Sequence, residues 1–246
     1  MTHFAPSIAQ PIEHDHKQAL AAVLARVTQA VTRRGAGPSP VLIGVGKRHP
    51  LSAIATLHRA GLQDFGENYA QEFRDKRAAQ IGADSGLVAV RWHFIGALQR
   101  NKVKYVVGNA LIHTVDSSAL LTAIDKRAAH CEVLQEVLVE VQLAPEDGKA
   151  GIAPVALPTI LDQFAACTHT RCVGLMTIPP PSDEPEKTRH WFRQLRQLRD
   201  QHAATERANV SLRELSMGMS ADFEVAIEEG ATMVRVGTAL FGPRLR

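Results

Sequence analysis

The sequence has few cysteines and no long apolar run. Its three cysteines, Cys131, Cys167 and Cys172, are odd in number and form no CxxC pair, so they imply neither a disulfide framework nor a zinc ribbon. We expect reduced thiols that serve mainly in packing. The longest apolar runs, such as 41–45 and 137–139, are a few residues long, whereas a membrane-spanning helix needs roughly 18 or more. No membrane span is therefore expected.

Aromatic residues and a dense positive charge are also scarce. Aromatic residues make up 5% of the chain, which argues against a stacking platform for nucleic acid bases. The net charge is +3, and the basic residues are scattered. Their densest run, 189–199, alternates with apolar residues as on the solvated face of an amphipathic helix. We expect no nucleic acid partner.

The N-terminal segment and the histidines carry no targeting or metal signal. Residues 1–16 contain Pro, Glu, Asp and His and lack the apolar stretch of a secretory signal, so we expect a flexible tail on a cytoplasmic protein. His14 and His16 lie in that tail, and no HExxH motif or clustered Cys/His set occurs. No metal site is predicted.

Strand and helix patterns alternate along the rest of the chain. Eight apolar segments bounded by turn residues predict strands at 41–46, 62–66, 91–95, 111–115, 137–143, 172–178, 213–217 and 233–237. A first helix presents Leu20, Val23, Leu24, Val27 and Val31 on one face, and helical spacing recurs at 51–60, 69–80, 100–107, 117–130, 153–166, 183–205 and 221–229. Ser182 and Ser220 are the expected N-terminal caps of the last two helices.

This alternation predicts a single α/β domain, a (β/α)8 TIM barrel over residues 17–246. Strand and helix repetition forces parallel strands, and eight parallel strands close without edges. A doubly wound open sheet is the alternative, but it would normally carry a GxGxxG turn after its first strand. The sequence there is GVGKRH.

Lys47 follows the first predicted strand directly. The stretch VLIGVGKRHP, residues 41–50, ends a buried run with an amine, and Pro50 then opens the next helix. In barrels the carboxyl ends of the strands carry the ligand chemistry. Lys47 is therefore a candidate site residue, although a lysine here can also simply cap a strand.

Other strand ends are polar as well. The loops after strands seven and eight often bind phosphate in barrels, and here they offer small or hydroxyl residues: Ser216, Gly218, Ser220, Gly237 and Thr238. Glycines allow close backbone approach and hydroxyls donate to phosphate oxygens, although the same residues are common in ordinary turns.

Lys47, the phosphate loops and Arg235 together match the needs of pyridoxal 5′-phosphate. This cofactor takes a lysine aldimine, a phosphate anchor and a partner for its ring nitrogen. Neighbouring positive charge and removal from water would favour the neutral, nucleophilic form of the Lys47 amine.

Six ordered blocks resemble motifs of the pyridoxal phosphate homeostasis protein family. They are GVGK with its following proline, FGENYAQE, WHFIGALQRNK, GLMTIPPP, LSMGMSADFEVAI and MVRVGTALFG. The resemblance implies a barrel similar to the N-terminal domain of alanine racemase. It implies these cofactor-binding residues: Lys47 as the N6-pyridoxal phosphate lysine, Asn68, Ser216, Arg235, Gly237 and Thr238. Gly46 departs from the family pattern, which often has Ser or Ala there, and His49 stands where a second basic residue is common.

The resemblance implies a non-catalytic protein that stores, protects or delivers pyridoxal 5′-phosphate, with apo-enzymes as possible recipients and a monomeric state expected. A low-activity amino-acid racemase is the alternative. The chain ends soon after the eighth strand, leaving no room for the second domain of racemases, and the charge of Arg235 weakens the ring as an electron sink. A third hypothesis is a cofactor-free barrel enzyme using Glu67, His93 or Asp116. Lys149, in a predicted loop, is a hypothetical secondary acceptor of the cofactor.

Overall fold

The computed structural model is a closed barrel of eight parallel strands, as the alternating pattern predicts. It describes residues 15–82, 87, 89–144 and 150–242. The strands pair in chain order, and the first pairs with the eighth to close the barrel. Because all strands run parallel, their carboxyl ends open onto one face.

The strands are short and buried. Their bounds are β1 Val41–Val45, β2 Asp64–Glu67, β3 Arg91–Phe94, β4 Leu111–Val115, β5 Gln135–Glu140, β6 Thr170–Met176, β7 Val210–Ser216 and β8 Met233–Val236. Strands 5, 6 and 7 begin two or three residues earlier than predicted. The polar residues at their starts, such as Gln135 and Thr170, are buried, and burial of polar residues is not visible in an apolar pattern.

Helices surround the barrel. They are α1 His16–Arg34, α2 Leu51–Arg59, α3 Ala70–Gly82, α4 Val103–Val106, α5 Ser118–His130, α6 Leu157–Gln163, α7 Arg189–Ala203, α8 Phe223–Glu228 and α9 Thr238–Phe241. Asp15 caps α1 by accepting from the backbone N–H groups of Lys17 and Gln18, so the last two residues of the predicted tail belong to this helix and its cap. Leu24, predicted on the buried face of α1, is 45% exposed.

Two predicted helix caps are wrong. Ser182 bonds only within its own turn, to Glu184, and α7 begins at Arg189 after a 3-10 turn over Pro185–Thr188. Ser220 accepts instead from the backbone N–H of Gly237, across two neighbouring loops. Both serines lie near the start of a helix, but neither hydroxyl group caps it. Ser182 forms its hydrogen bonds within its own turn, and Ser220 forms one with the neighbouring loop.

The barrel contains both apolar and polar buried side chains. Leu138, Val173 and Met176 form an apolar cluster within the strands. The remaining interior holds buried polar residues of five strands: Asp64, His93, His113, Ser216 and Arg235. Barrel interiors are usually filled by branched apolar side chains, so this polar row marks the half of the barrel that supports the site.

The cysteines of the structure are free thiols, and two of the three are buried. Cys167 and Cys172 are buried, and burial raises their pKa values to about 11 and about 12, so they are poor nucleophiles. Across the described ranges, none of the helices combines the length and apolar character that crossing a bilayer requires. Nor does the described part of the chain contain a group of three His, Cys, Asp or Glu side chains arranged to hold a metal ion.

Candidate functional site

Lys47 lies in the tight turn that follows β1, at the carboxyl face of the barrel. The backbone N–H of His49 donates to the carbonyl of Gly46 at 3.0 Å, and Arg48 adopts the left-handed conformation with φ 61°. This conformation is uncommon for a residue with a side chain. The turn leaves the Lys47 side chain half-buried at the mouth.

Side chains of α3 hold the backbone on both sides of Lys47. The ammonium of Lys76 donates to the carbonyl of Gly46 at 2.8 Å, and the backbone N–H of Arg48 donates to the Glu72 carboxylate at 2.6 Å. Lys76 also donates to Glu72 at 2.8 Å and to Glu67 at 2.6 Å. One buried lysine therefore ties β2, α3 and the Lys47 turn into a single unit.

Glu67 is the buried carboxyl beneath this turn. Its side chain is fully buried, and burial raises its pKa to about 7 despite the opposing charges of Lys76 and Lys47. Its Oε2 atom has no hydrogen-bond partner among the described residues. Lys47 therefore faces a buried carboxyl group whose ionisation is opposed by its burial.

Gly46 has a packing reason for departing from the family pattern. A Cβ built at this position would lie 2.9 Å from Cδ1 of Ile54 and 3.0 Å from Oε1 of Glu67. The space that a Ser or Ala side chain would need is filled here by these two side chains.

A ring contact joins the Lys47 turn to the end of β8. His49 is buried and stacks on Phe241 of α9, with ring centroids 5.0 Å apart and an interplanar angle of 26°. The position at which a second basic residue is common in the family is thus held here by a buried, stacked histidine. It fixes the distance between the Lys47 turn and the loop that bears Gly237 and Thr238.

The loops after β7 and β8 meet as predicted. The Gly237 N–H donates to Ser220 Oγ at 3.1 Å, and Thr238 is exposed at the first position of α9. Gly218 needs its φ of +90° and its lack of a side chain, because a Cβ there would lie 2.6 Å from Cβ of Ala226. Together these two loops place the hydroxyl groups of Ser220 and Thr238 beside the Lys47 turn.

Ser216 lies deeper than the other predicted phosphate residues. It is fully buried, and its Oγ accepts from Nη1 of Arg235 at 2.6 Å and lies 2.8 Å from Nδ1 of His113. Arg235 is also buried and donates through Nη2 to the Thr177 carbonyl at 2.9 Å. Burial lowers the pKa of Arg235 to about 10, against the opposing charges of Glu140 and Asp222, so the guanidinium stays charged at neutral pH.

Asn68 faces a cavity of about 330 Å³ at the carboxyl ends of β2 to β6. Its Oδ1 is buried and has no partner within the described ranges. The cavity is also lined by Gly96, Thr114 and Glu140. Burial raises the pKa of Glu140 to about 7, although Arg235 opposes that rise. The Asn68 oxygen and the Glu140 carboxyl group could both accept hydrogen bonds, so the cavity favours a ligand that carries hydrogen-bond donors.

The acid–base candidates of the third hypothesis all have hydrogen-bond partners in the structure. Glu67 and His93, candidates for acid–base chemistry in the third hypothesis, are both engaged, with Lys76 and with Asp64 and His113 respectively. Asp116 is half-buried and accepts from the Ser117 hydroxyl at 3.0 Å. Lys149, the hypothetical secondary acceptor, lies outside the described residues, as do residues 1–14 of the predicted tail.

The supporting residues Lys76, Glu72, His113 and Glu140 are not recognised from the sequence. His113 and Glu140 leave a signal, since each is a polar residue within an apolar strand segment, LIHTV and VLVEV. Lys76 and Glu72 leave none, because charged residues on a helix usually face water.

Sequence comparisons connect this site with curated proteins. The family model described as alanine racemase, N-terminal domain, matches residues 15–244. The pyridoxal phosphate homeostasis protein of Aquifex aeolicus is 44% identical over 227 residues, which cover 92% of this chain and 96% of that protein. That of Pseudomonas aeruginosa is 39% identical over 228 residues, covering 92% and 94%.

Solved structures agree with the fold. The structure of PipY from Synechococcus elongatus with PLP bound superposes with a TM-score of 0.80 at 34% identity, covering 93% of this chain and 100% of that one. Alanine racemase from Corynebacterium glutamicum has a TM-score of 0.63 at 18% identity, covering 93% of this chain and 61% of the racemase. At that identity the likeness concerns the barrel alone.

Proposed function

The chain belongs to the family of pyridoxal phosphate homeostasis proteins, and from that premise we propose that it holds pyridoxal 5′-phosphate on Lys47 for storage, protection or delivery. The observation that carries the proposal is the fixed turn at the end of β1. Lys76 and Glu72 hold the backbone on both sides of Lys47, so the amine projects from a preorganised base.

The cofactor supplies an aldehyde whose carbon bonds to a primary amine, while the carbonyl oxygen leaves as water with both amine hydrogens. The chain's own residues fit such a ligand. Thr238 and Ser220 offer neutral hydroxyl donors to a phosphate group, since the Ser220 oxygen accepts from the Gly237 N–H. The buried Oδ1 of Asn68, which has no partner in the part of the chain that the structure describes, can accept a hydrogen bond from a ligand donor. Arg235 offers a fixed positive charge to a ring nitrogen.

Arg235 also supports holding over turnover. Its guanidinium is buried, donates to Ser216 and the Thr177 carbonyl, and retains its charge at neutral pH. A fixed positive charge beside a pyridine nitrogen opposes protonation of that nitrogen, and an unprotonated ring withdraws electrons less strongly. We infer that the protein binds the cofactor without turning over amino acids at an enzyme-like rate.

Incubation of the loaded protein with L- and D-amino acids tests this inference. Chirality, keto-acid formation and carbon dioxide release would be followed over time. We expect only slow side reactions. Turnover at about 1–10³ per second, the usual range for enzymes, would overturn the inference and favour a racemase or a related enzyme.

Transfer to an apo-enzyme tests the delivery role. The loaded protein would be mixed with an apo-enzyme that requires pyridoxal 5′-phosphate, and a parallel sample would contain a chemical trap for the free cofactor. Reactivation of the apo-enzyme faster than release into the trap supports direct delivery. Reactivation limited by release would restrict the role to storage and protection.

A further inference from the structure

A continuous row of hydrogen bonds crosses the polar half of the barrel interior and ends at Arg235. Asp64 Oδ1 lies 3.0 Å from Nε2 of His93, and Nδ1 of His93 lies 3.0 Å from Nε2 of His113. Nδ1 of His113 lies 2.8 Å from Ser216 Oγ, which accepts from Arg235. All five residues are at most 6% exposed.

The chemistry of the two ends fixes the direction of every bond. Arginine only donates, so Ser216 accepts from Arg235 and its own hydroxyl hydrogen is left for Nδ1 of His113. The hydrogen of His113 then lies on Nε2 and donates to Nδ1 of His93. Nε2 of His93 carries the last hydrogen and donates to Asp64.

This arrangement leaves both rings neutral, each with its hydrogen on Nε2. It also gives every buried group in the row a partner of the correct kind.

The alternative arrangement of hydrogens, with a charged His93 ring, leaves one hydrogen-bond donor without an acceptor among the described residues. A His93 ring with hydrogens on both nitrogens would donate to His113 and force the His113 hydrogen onto Nδ1. Ser216 Oγ would then receive two donors, and no further acceptor for its hydroxyl hydrogen is recorded among the described residues. A buried donor without a partner is costly.

The electrostatics of the two ends agree with the neutral arrangement. Burial, with the nearby positive charge of Arg235, lowers the pKa of His113 well below its ordinary value. Burial alone would raise the pKa of Asp64, but hydrogen bonds from His93 and Arg91 outweigh it and hold that pKa low. Arg91 donates hydrogen bonds to both carboxylate oxygens of Asp64, so this carboxylate, the final acceptor of the row, stays ionised.

We propose that Asp64, His93 and His113 are positioning residues for Arg235. Their hydrogen bonds all run in the same donor-to-acceptor direction, from Arg235 towards Asp64, and this row holds the guanidinium in place. The row aims an oxygen lone pair of Ser216 at Nη1, while the Thr177 carbonyl takes Nη2. The other charged groups facing the row are Arg91 at one end and, behind Arg235, Glu140 and Asp222. The proposal rests on the proposed function only for the contact between Arg235 and the cofactor.

The hydrogen positions can be measured without cofactor, on the full chain labelled with ¹⁵N in its histidine rings. Ring nitrogens with and without hydrogen have well-separated NMR shifts. We expect His93 and His113 to carry hydrogen on Nε2 alone at neutral pH. His58 is an internal control, since its Nδ1 lies 3.0 Å from the Leu62 carbonyl and must carry a hydrogen. Hydrogen on Nδ1 of either His93 or His113 would overturn the proposal.

Two variants of His113 then test the effect on Arg235. In His113→Leu the Ser216 hydroxyl loses its acceptor, and we expect affinity for pyridoxal 5′-phosphate to fall roughly tenfold, with a shifted absorption band of the bound cofactor. His113→Gln offers an oxygen acceptor and an N–H donor, and should restore the band and most of the affinity. His58→Gln is the control for loss of a histidine, and melting temperatures report folding.

The outcomes separate the two proposals. Equal losses of melting temperature in both His113 variants, with an unchanged band of the bound cofactor, would reduce the row to a structural role and overturn the proposal. Failure of the wild-type protein to bind the cofactor would sink the proposed function while leaving the NMR result intact. If His113→Leu does not fold, the hydrogen positions in the wild-type chain still decide the matter.

Discussion

The ammonium of Lys76 donates to the carbonyl oxygen of Gly46 at 2.8 Å, and so fixes the backbone from which the next residue, Lys47, projects. Lys76 is 8% exposed and lies on α3, thirty residues further along the chain. Its other contacts are the carboxylates of Glu67 and Glu72. The backbone beside the candidate amine is thus positioned by a cluster of charged side chains.

Removal of this charge should cost both stability and cofactor capture. Lys76→Met removes the charged partner of Glu67 and the donor to the Gly46 carbonyl, and each buried acceptor left unsatisfied typically costs about 1–3 kcal/mol. Urea unfolding would measure the loss. The exposed Lys126→Met on α5 is the matched control and should lie within about 0.5 kcal/mol of wild type. The double variant Lys76→Met/Glu67→Gln should recover part of the loss, and no recovery would show that charge pairing is not the cause.

Thr238 should contribute to affinity only when the ligand carries a phosphate. Thr238→Ala deletes one hydrogen bond to a charged group, worth about 1.5–3 kcal/mol, and Thr238→Ser keeps the hydroxyl. Titrations with pyridoxal 5′-phosphate and with pyridoxal measure the difference. A similar loss for both ligands would place the phosphate elsewhere.

Gly237 and Gly218 should respond differently to alanine. A Cβ at Gly237 would lie 3.5 Å from Cβ of Val45, an ordinary contact, so Gly237→Ala should fold with a change of less than about 1 kcal/mol and weaken only binding of the phosphorylated ligand. Gly218→Ala meets backbone atoms of Phe223 at 2.9 Å in a positive-φ position, and should destabilise the fold itself. Unfolding curves and ligand titrations on the same samples separate the effects, and a destabilised Gly237→Ala would contradict this account.

Glu140 should make the cofactor-free protein less stable as pH rises. Its pKa is about 7 in the folded chain and 4.5 ordinarily, so between these values the folded state binds a proton that the unfolded state has lost. The free energy of unfolding therefore falls as pH rises from about 4.5 to about 7, by an amount on the order of 3 kcal/mol.

Glu140→Gln removes this titration, so its unfolding free energy should depend less on pH than that of wild type. Unfolding at pH 5 and pH 8 measures the difference. Glu67 titrates in the same range and contributes equally to both proteins. Identical pH dependence of the two proteins would show that Glu140 is ionised normally.

The barrel could be predicted, and the candidate site residues could be proposed, because both leave local signals. Apolar runs ending in Lys47 or in glycine and serine loops mark the strands and their carboxyl ends, and the parallel order follows from alternation. The network beneath the site could not be predicted in this way. His113 is a polar residue in an apolar strand, and only the closed barrel shows that it meets Ser216, 103 residues away.

Buried charged residues are a second feature of the site that could not be predicted from the sequence. Lys76, Glu72 and Glu67 lie on a helix and a strand end where exposure is the ordinary expectation for charged side chains. The burial of Lys76 and Glu67, with Glu72 partly buried beside them, results from the packing of α3 over the Lys47 turn, which sequence spacing does not encode. The same reason explains why Ser220, predicted as a helix cap, serves instead as the acceptor for Gly237.

Covalent trapping at Lys47 tests the central claim most directly. The wild-type protein would be loaded with pyridoxal 5′-phosphate, its absorption recorded before and after borohydride, and the labelled peptide identified by mass spectrometry. Lys47→Ala and Lys102→Ala serve as the test and control variants. The account predicts that the label lies on Lys47, disappears in Lys47→Ala and persists in Lys102→Ala. A label on Lys102 or Lys149 in the wild-type protein, or undiminished labelling of Lys47→Ala, would contradict it.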